Sequence, residues 1–288
     1  MTTPRSLPQR LVATAALLIT ATALAVTCRV SLALGAYQAR VTNSTNTAAT
    51  ATYFTCRAAT TGEATTIAYL AYPLDEATGV TAFDSTGNNR NGTYTNTGVT
   101  YASTGPCPRD TAKAITLNGS TGYLTGAATP TNPQIFSIEI WFKTTTGGGK
   151  LIGLGTSKTG ASAQYDRHLY LTDTGIVTFG VYPGAVQTIT SPTGYLDGKW
   201  HQAVATLAPA GNANPGMRLY IDGALVASNT AITSAEADTG YWRIGYDNLN
   251  GWTNKPTNFF FTGSLANAST YTYALTPTQV AAHNTAGR

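Results

Sequence analysis

The stretch LDGKWHQAVATLAPAGNANPGMRLYIDGALVAS, Leu196–Ser228, decides the fold class of this chain of 288 residues. Alternate residues of Met217–Ile221 are apolar, and this period of two is typical of a strand with one buried face. Apolar runs predict two more strands, Trp200–Leu207 and Ala224–Ala227. The Asp222-Gly223 pair before the last strand predicts a type I′ hairpin turn, because both central residues of that turn need positive φ. The stretch therefore predicts an all-β protein.

The flanking sequence extends the same pattern. FSIEIWF at Phe136–Phe142 alternates a face of Phe and Ile with a face that holds Glu139 and Trp141, so the first face is predicted to lie in the core. Two further strands are predicted near the C-terminus, Phe260–Ala266 and Ala268–Tyr273. Turn signals separate the runs at intervals of about 8–12 residues, which is typical of a β-sandwich.

One helix is predicted, at the C-terminal end. Thr276 has the character of a helix N-cap, Pro277 stands at the first helical position, and Gln279 completes a capping box. These signals predict a short helix that follows the last strand.

The composition argues against a nucleic-acid partner. Charged residues make up 10% of the chain, against roughly 25% in ordinary domains. The formal net charge of +4 owes much to Arg5, Arg10 and Arg29, which lie in an opening segment without acids. The rest of the chain is close to neutral, so no basic binding surface is predicted.

The opening segment, residues 1–35, has the layout of an export signal. Arg5 and Arg10 precede the uncharged run Leu11–Thr27, and the small residues around Gly35 suit a signal peptidase. This pattern predicts a signal helix that is removed and a secreted, extracellular protein, with attachment to the cell surface as a further option. A retained anchor is the alternative, because the apolar run just reaches spanning length. The leader would then be the only contact with a membrane.

Residues 36–66 form a Thr- and Asn-rich stretch that is predicted to be an extended arm. Leader and arm together resemble exported fibre-forming and biofilm matrix proteins of Gram-positive bacteria. Of the three cysteines, Cys28 lies in the leader, so the mature chain keeps Cys56 and Cys107. Two cysteines in an exported protein predict a disulfide, with two separate buried thiols as the alternative.

Several sequence blocks together carry a family resemblance. LDEATGVTAFDSTGNNRNGTY, FSIEIWFKT, DGKWHQAVATL, MRLYIDGALVAS and FTGSLANASTYTYALTPTQV occur in the order found in laminin-G-like jelly-roll domains of the concanavalin A-like lectin and glucanase superfamily. YDRHLYLTDTGIVTFGVYPG and TGYWRIGYDNLNGW resemble a bacterial secreted subgroup. The resemblance covers Ile67 to His283, which places the domain at residues 67–288. It implies a two-sheet antiparallel jelly-roll sandwich, usually with a non-catalytic role in binding or adhesion.

The resemblance also implies a calcium site, since relatives use the Asp of a DSSGN-like loop and an acid in the last strand. Asp84, with the backbone of Gly87 and Asn88, matches the first half, and hard oxygen ligands suit Ca²⁺. The second half departs from the family, because Leu265-Ala266-Asn267 stands where relatives typically read IDE. Glu76 and the Asn267 amide oxygen are the available substitutes. The alternative is that Asp84 only closes an Asx-turn.

A second candidate site is a set of polar and aromatic residues near predicted strand ends. Aromatic faces combined with planar polar groups suit carbohydrate, and jelly rolls present such groups on a sheet face or a loop rim. The alternative is structural, with Arg167–Asp166 and Arg243–Asp247 as ion pairs and Trp252 as a packed loop plug. The predicted ligand-binding residues are Asp166, Arg167, His168, Tyr170, Arg243, Tyr246, Asp247, Asn248 and Trp252.

An enzyme is disfavoured because glycoside hydrolysis needs two carboxylates. Glucanase relatives carry E-x-D-x-x-E in one strand, whereas Glu139 is the only acid of its strand. His168, His201 and His283 form no metal-ligand spacing, so no catalytic residue is assigned. The leading hypothesis is an exported module that binds glycans or cell-surface partners. A structural surface or fibre subunit assembled through the arm is the second, and a glycosidase that uses Glu139 is the third.

Overall fold

Two antiparallel sheets of eight strands each make up the described part of the chain, residues 68–108 and 111–288, in the computed structural model. They pack face to face as a jelly-roll sandwich around a shared apolar core. In chain order the strands are β1 (Ala68–Tyr72), β2 (Thr81–Ala82), β3 (Gly92–Tyr94), β4 (Val99–Thr104), β5 (Lys113–Asn118), β6 (Leu124–Ala128), β7 (Phe136–Lys143), β8 (Lys150–Gly155), β9 (Tyr165–Leu171), β10 (Ile176–Val181), β11 (Gln187–Gly194), β12 (Trp200–Ala208), β13 (Gly216–Ile221), β14 (Ala224–Asn229), β15 (Tyr241–Ile244) and β16 (Thr262–Tyr271).

The strand order brings distant segments together. The first sheet runs β14-β13-β12-β7-β16-β5-β4, with β1 also paired to β16. The second sheet runs β11-β10-β9-β8-β15-β6-β3-β2. β15 lies between β8 and β6, and the loops that follow β8 and β15 meet where Ser162 donates hydrogen bonds to the Asp247 carboxylate.

The predicted hairpin is confirmed. Asp222 and Gly223 have φ of 53° and 82°, the positive values that a type I′ turn requires. The turn joins β13 to β14, and β13 pairs with β12 on its other side. The Leu196–Ser228 stretch therefore forms three adjacent strands of the first sheet.

Strand β7 lies in the middle of the first sheet, between β12 and β16. Its Phe136, Ile138 and Phe142 side chains enter the core between the sheets, as the alternation predicts. The opposite face of β7 is also buried, because the C-terminal helix packs there. Trp141 on that face is fully buried beside Ala266.

The helix, α1 (Pro277–Ala286), begins with the predicted capping box. The Thr276 hydroxyl accepts a hydrogen bond from the Gln279 backbone N–H, and the Gln279 side chain accepts one from the Thr276 N–H in return. Val280 then packs against Val204 and Tyr220 of the sheet. The cap fixes where the helix starts, and the apolar contact fixes where it lies.

Two strand predictions differ from the structure. The predicted strands Phe260–Ala266 and Ala268–Tyr273 are one strand, β16, with a bulge between Ala266 and Ser269. Asn267 in the bulge has φ of 47° and donates its backbone N–H to the Pro73 carbonyl, and Asn tolerates this left-handed conformation. The edge strand β11 has no sequence signal, since Pro and exposed Thr residues replace the apolar alternation.

Several predictions fall outside the described residues. The signal helix at 1–35, the arm at 36–66 and Cys56 lie there and stay predictions. Cys107 is buried, and its disulfide with Cys56 likewise stays a prediction. Among the described helices, none has the length and hydropathy that a bilayer crossing needs.

Candidate functional site

The centre of the outer face of the second sheet is covered by the loop between β15 and β16, residues 245–261, here called the cover loop. Trp252 of this loop packs edge-on against His168, with ring centroids 4.5 Å apart. A Cβ added to Gly180 would come within 2.4 Å of the Trp252 ring, so glycine is needed for this approach. The Tyr170 hydroxyl donates a hydrogen bond to the Thr253 carbonyl. The packing of Trp252 on His168 and Gly180 thus holds the cover loop against the sheet.

Asp247 anchors the start of the cover loop. One carboxylate oxygen accepts hydrogen bonds from the backbone N–H groups of Ser162 and Asn248, at 2.7 and 2.8 Å. The other accepts the Ser162 hydroxyl at 2.8 Å and lies 3.6 Å from the Lys150 ammonium. Arg243 Nη1 is 4.0 Å from the carboxylate, and all three charged side chains are fully buried. The carboxylate therefore holds the loop through a buried charge cluster.

Burial changes the titration of the basic groups in this cluster. Removal from water lowers the pKa of Lys150 to about 8, although Asp247 opposes that shift. Burial also lowers the pKa of His168 well below its usual value, and the nearby Lys150 charge adds to the effect. His168 is therefore neutral at physiological pH. Lys150 loses its proton at a lower pH than an ordinary lysine.

Asp166 and Arg167 lie at the start of β9 and hold two other loops through hydrogen bonds. Arg167 has φ of 55°, and its guanidinium donates to the Pro133 and Glu236 carbonyls at 3.0 and 2.8 Å. The Asp166 carboxylate pairs with Arg167 at 3.1 Å and accepts the backbone N–H groups of Tyr182 and Glu236. The pair is a buried structural clamp.

Most of the predicted ligand-binding residues lie in buried positions. Seven of the nine predicted residues are buried, and six of those seven are fully so, because they anchor loops rather than face solvent. Asn248 is half-buried and donates its amide to the Ser162 carbonyl. Tyr246 is also half-buried and stacks on Phe260 with centroids 3.6 Å apart. The observed contacts are those of the structural alternative, in which Arg167 pairs with Asp166, Arg243 lies near Asp247 and Trp252 packs beneath its loop.

An open groove of about 580 Å³ lies beside the cover loop, over β3, β6 and β15. We call it the Tyr241 groove. Two half-exposed tyrosine rings, Tyr123 and Tyr241, line it together with threonine hydroxyls, asparagine amides and one lysine. The lining residues are Asn91, Thr93, Tyr94, Thr95, Asn96, Tyr123, Thr125, Gly126, Ala127, Ala128, Lys158, Thr159 and Tyr241.

One wall of the groove is the short loop at residues 157–160, which is held from below. Arg243 donates from its two terminal nitrogens to the carbonyls of Ser157 and Gly160, the latter at 2.9 Å. The Thr125 hydroxyl donates to the Lys158 carbonyl at 2.6 Å. Arg243, one of the predicted ligand-binding residues, is the buried support of this wall.

The sequence interpretation missed Tyr241, Tyr123 and Lys158. Strand alternation could have identified the first, because Tyr241 and Arg243 share one face of β15 while Trp242 points into the core. Lys158 lies in a loop whose position depends on contacts made far along the chain. No local pattern marks it.

A smaller hollow of about 340 Å³ lies on the other side of the cover loop. Tyr165, Tyr182 and the edge of Trp252 line it, and Tyr182 is 36% exposed. We call it the Tyr182 hollow. Glu236 also lines it, so its chemistry differs from that of the Tyr241 groove.

The Asp84 carboxylate, which was predicted to hold calcium, lies among backbone and side-chain donors. One Asp84 oxygen accepts the backbone N–H groups of Ala71 and Thr86, and the other accepts the Thr86 hydroxyl and the Arg90 N–H. Four donors occupy the lone pairs that a cation would need. Glu76, a predicted substitute, accepts from Phe83 and Tyr94. The Asp84 loop therefore closes on itself as an Asx-turn.

Glu139 is likewise unsuited to act on an external substrate. It is 2% exposed beneath α1, where it accepts a hydrogen bond from the Gln202 amide at 2.7 Å. Its other oxygen lies 2.8 Å from His283 Nδ1 of the helix. Among the described residues, no group of three or more His, Cys, Asp or Glu side chains could hold a metal ion.

Several solved structures are similar to this chain in fold. Domain 4 of AbnA, an extracellular arabinanase of Geobacillus stearothermophilus solved with arabinotriose, is 18% identical with a TM-score of 0.50, over 75% of this chain and 97% of that one. The binding domain of Paraclostridial Mosquitocidal Protein 1 is 18% identical with a TM-score of 0.53, over 75% of this chain and 51% of that one. The receptor-binding domain of botulinum neurotoxin type G is 13% identical with a TM-score of 0.50, over 76% and 51%.

Sequence comparison identifies the family. No curated protein matches the chain in sequence. A laminin-G-type family model, described as concanavalin A-like lectin/glucanases superfamily, matches residues 118–281, more than half of the chain. The matched residues include most of the strands that build the two sheets and the Tyr241 groove. The chain therefore belongs to the concanavalin A-like lectin/glucanases superfamily.

Proposed function

We propose that the protein is a non-catalytic module that binds a short oligosaccharide in the Tyr241 groove. The observation that carries the proposal is the lining of that groove, in which two tyrosine rings stand among hydroxyl and amide side chains. Sugars present apolar C–H faces that pack on aromatic rings, and their hydroxyls need donors and acceptors of the kind that Thr and Asn supply. The volume lies within the range of about 300–1,000 Å³ typical of small-ligand sites.

The absence of acids from the groove lining supports binding without catalysis. Glycosidases hold two carboxylates about 5–9.5 Å apart around the scissile bond. The described residues that line the Tyr241 groove include no Asp or Glu, and Glu139 lies buried in the other sheet. The glycosidase hypothesis predicts sugar release that Glu139→Gln eliminates, and observing that loss would contradict the proposal.

The fold relatives support the same ligand class. One was solved with arabinotriose, and two are binding domains of toxins. At 13–18% identity they share the fold alone, so the identity of the sugar does not transfer. We extend the proposal to an exported protein whose glycan lies on a cell surface or in the extracellular space. N-terminal sequencing of protein recovered from culture medium tests the predicted removal of residues 1–35.

A glycan array tests the binding proposal directly. The wild-type protein is expected to bind a subset of oligosaccharides, and Tyr241→Thr is expected to lower their signals at least tenfold. Tyr182→Thr is the matched control, because it removes an exposed tyrosine ring from the Tyr182 hollow. Its signals should equal those of the wild type. No binding to any glycan, or loss of binding in Tyr182→Thr alone, would overturn the proposal.

A further inference from the structure

The Tyr241 groove is asymmetric in charge. Lys158 is its one charged lining residue among those described, and it is exposed. Glu76 contacts one lining residue, because it accepts a hydrogen bond from the Tyr94 hydroxyl. Glu76 does not itself line the groove; it lines a separate hollow together with Asp75 and Asp84. An anion in the groove would meet a cation and no opposing carboxylate.

Lys158 is held at the place where a sugar would stack. Its ammonium lies 5.1 Å from the centre of the Tyr241 ring, within the range of a cation–π contact. Its carbonyl accepts the Thr125 hydroxyl, and the Arg243 guanidinium holds the carbonyls of Ser157 and Gly160 on both sides. The backbone that carries the lysine is therefore fixed, and only the side chain remains free to adjust.

The buried charge cluster behind the groove has a net charge of the same sign as Lys158. The Arg243 guanidinium lies 4.9 Å from the centre of the Tyr123 ring, at one end of the groove. Its cluster contains Lys150 and Arg243 but only one carboxylate, that of Asp247. With Lys150 protonated, this cluster has a net positive charge in a region of low dielectric, where screening by salt is weak.

We infer that the Tyr241 groove selects acidic glycans, whose sugar rings carry a carboxylate, and that Lys158 is the residue that recognises this charge. The inference rests on the proposed function, since it names the ligand class of the same site. A ring carboxylate gains a charge-assisted hydrogen bond from the lysine ammonium while the ring stacks on tyrosine. A neutral sugar of the same shape gains only the stacking and the neutral hydrogen bonds.

Binding to acidic oligosaccharides and to their methyl esters tests the inference, because esterification removes the charge and keeps the ring. The probes are tetragalacturonate, tetramannuronate and a hyaluronan tetrasaccharide, titrated calorimetrically into the full-length protein. The wild type is expected to bind at least one acid tenfold or more tightly than its ester. Raising the salt concentration from 20 to 300 mM should reduce that preference, since the groove is open to solvent.

Variants of Lys158 separate its charge from its packing. Lys158→Gln is expected to abolish the preference while affinity for the ester stays unchanged, and Lys158→Arg to retain it. Lys255→Gln is the matched control, because that exposed lysine also lies over an aromatic ring, Phe259 at 5.4 Å, but outside the groove. It should bind like the wild type.

Three results would overturn the inference. The first is equal binding of each acid and its ester. The second is a preference for the acid that survives in Lys158→Gln, and the third is a loss of that preference in Lys255→Gln. Binding of neutral glycans that depends on Tyr241 but shows no charge preference would leave the proposed function standing and remove the inference alone. Absence of binding to any glycan would remove both.

Discussion

Two neighbouring regions on one face of the second sheet have similar residues and different surroundings. Under the cover loop, Trp252, His168 and Asp247 are buried against glycines, and a Cβ at Gly155 would come within 1.9 Å of the Asp247 carboxylate. Beside it, the Tyr241 groove keeps Tyr123 and Tyr241 half-exposed around open space of about 580 Å³. Aromatic and charged side chains anchor a loop in the first region and remain accessible in the second. Residue type alone therefore does not distinguish a buried anchor from an accessible groove residue.

The largest expected effect is the loss of the Asp247 anchor. Asp247→Ala leaves the buried Lys150 ammonium without its counter-charge and two backbone N–H groups without an acceptor. We expect the free energy of unfolding to fall by about 3–5 kcal/mol, measured by urea denaturation. Asp173→Ala is the control, because that exposed carboxylate accepts hydrogen bonds from Thr257 at the surface. A loss below about 1 kcal/mol in Asp247→Ala would contradict the anchoring role.

Removal of the loop plug is expected to affect stability without affecting binding. Trp252→Ala opens a cavity over Gly180 and His168, and we expect a loss of about 3 kcal/mol in unfolding free energy. At a temperature where the variant stays folded, its affinity for array-positive glycans should remain within twofold of wild type. A tenfold loss of affinity with unchanged stability would instead show that Trp252 touches ligand, as the sequence predicted.

Removal of the Tyr241 ring from the groove is expected to lower the affinity for glycan without lowering stability. Tyr241→Thr keeps a residue suited to a strand and removes the aromatic face. We expect affinity to fall about tenfold, which corresponds to about 1.4 kcal/mol of binding free energy. The free energy of unfolding should change by less than about 1 kcal/mol. A variant that loses stability but keeps its affinity would break the contrast between the two regions.

The smallest expected effect is a pH dependence of stability from Lys150. Its pKa in the folded protein is about 8, below the value of about 10.4 for an unfolded chain, so the unfolded state holds more protons between these values. Stability from this group therefore rises with pH, by about 1 kcal/mol between pH 7 and pH 9. Urea denaturation of the wild type and of Lys150→Met should show this rise only in the wild type. Equal slopes would contradict the shifted pKa.

The fold was predictable wherever a short-range signal fixes the geometry. The Asp222-Gly223 turn, the alternation in Phe136–Phe142 and the Thr276 capping box all appear as expected. The single strand β16 was not predicted, because the bulge at Asn267 depends on a contact with Pro73. A local pattern cannot show which distant segment meets a strand.

The site was less predictable than the fold for the same reason. The sequence placed Arg243 and Asp247 near strand ends, which is correct, but burial beneath a loop that starts two residues after Arg243 is a tertiary event. Lys150 follows a run of glycines, and nothing in that run indicates a buried ammonium. Exposure, rather than residue type, separates the two regions.

Mapping the bound ligand by NMR tests the central contrast most directly. The protein is titrated with its strongest array-positive oligosaccharide while amide chemical shifts are followed by two-dimensional NMR. We predict that the shifts of residues 91, 93–96, 123, 125–128, 158–159 and 241, which line the Tyr241 groove, change most. Changes confined to residues 163–165, 182–186 and 250–252, around the Tyr182 hollow and Trp252, would contradict the account.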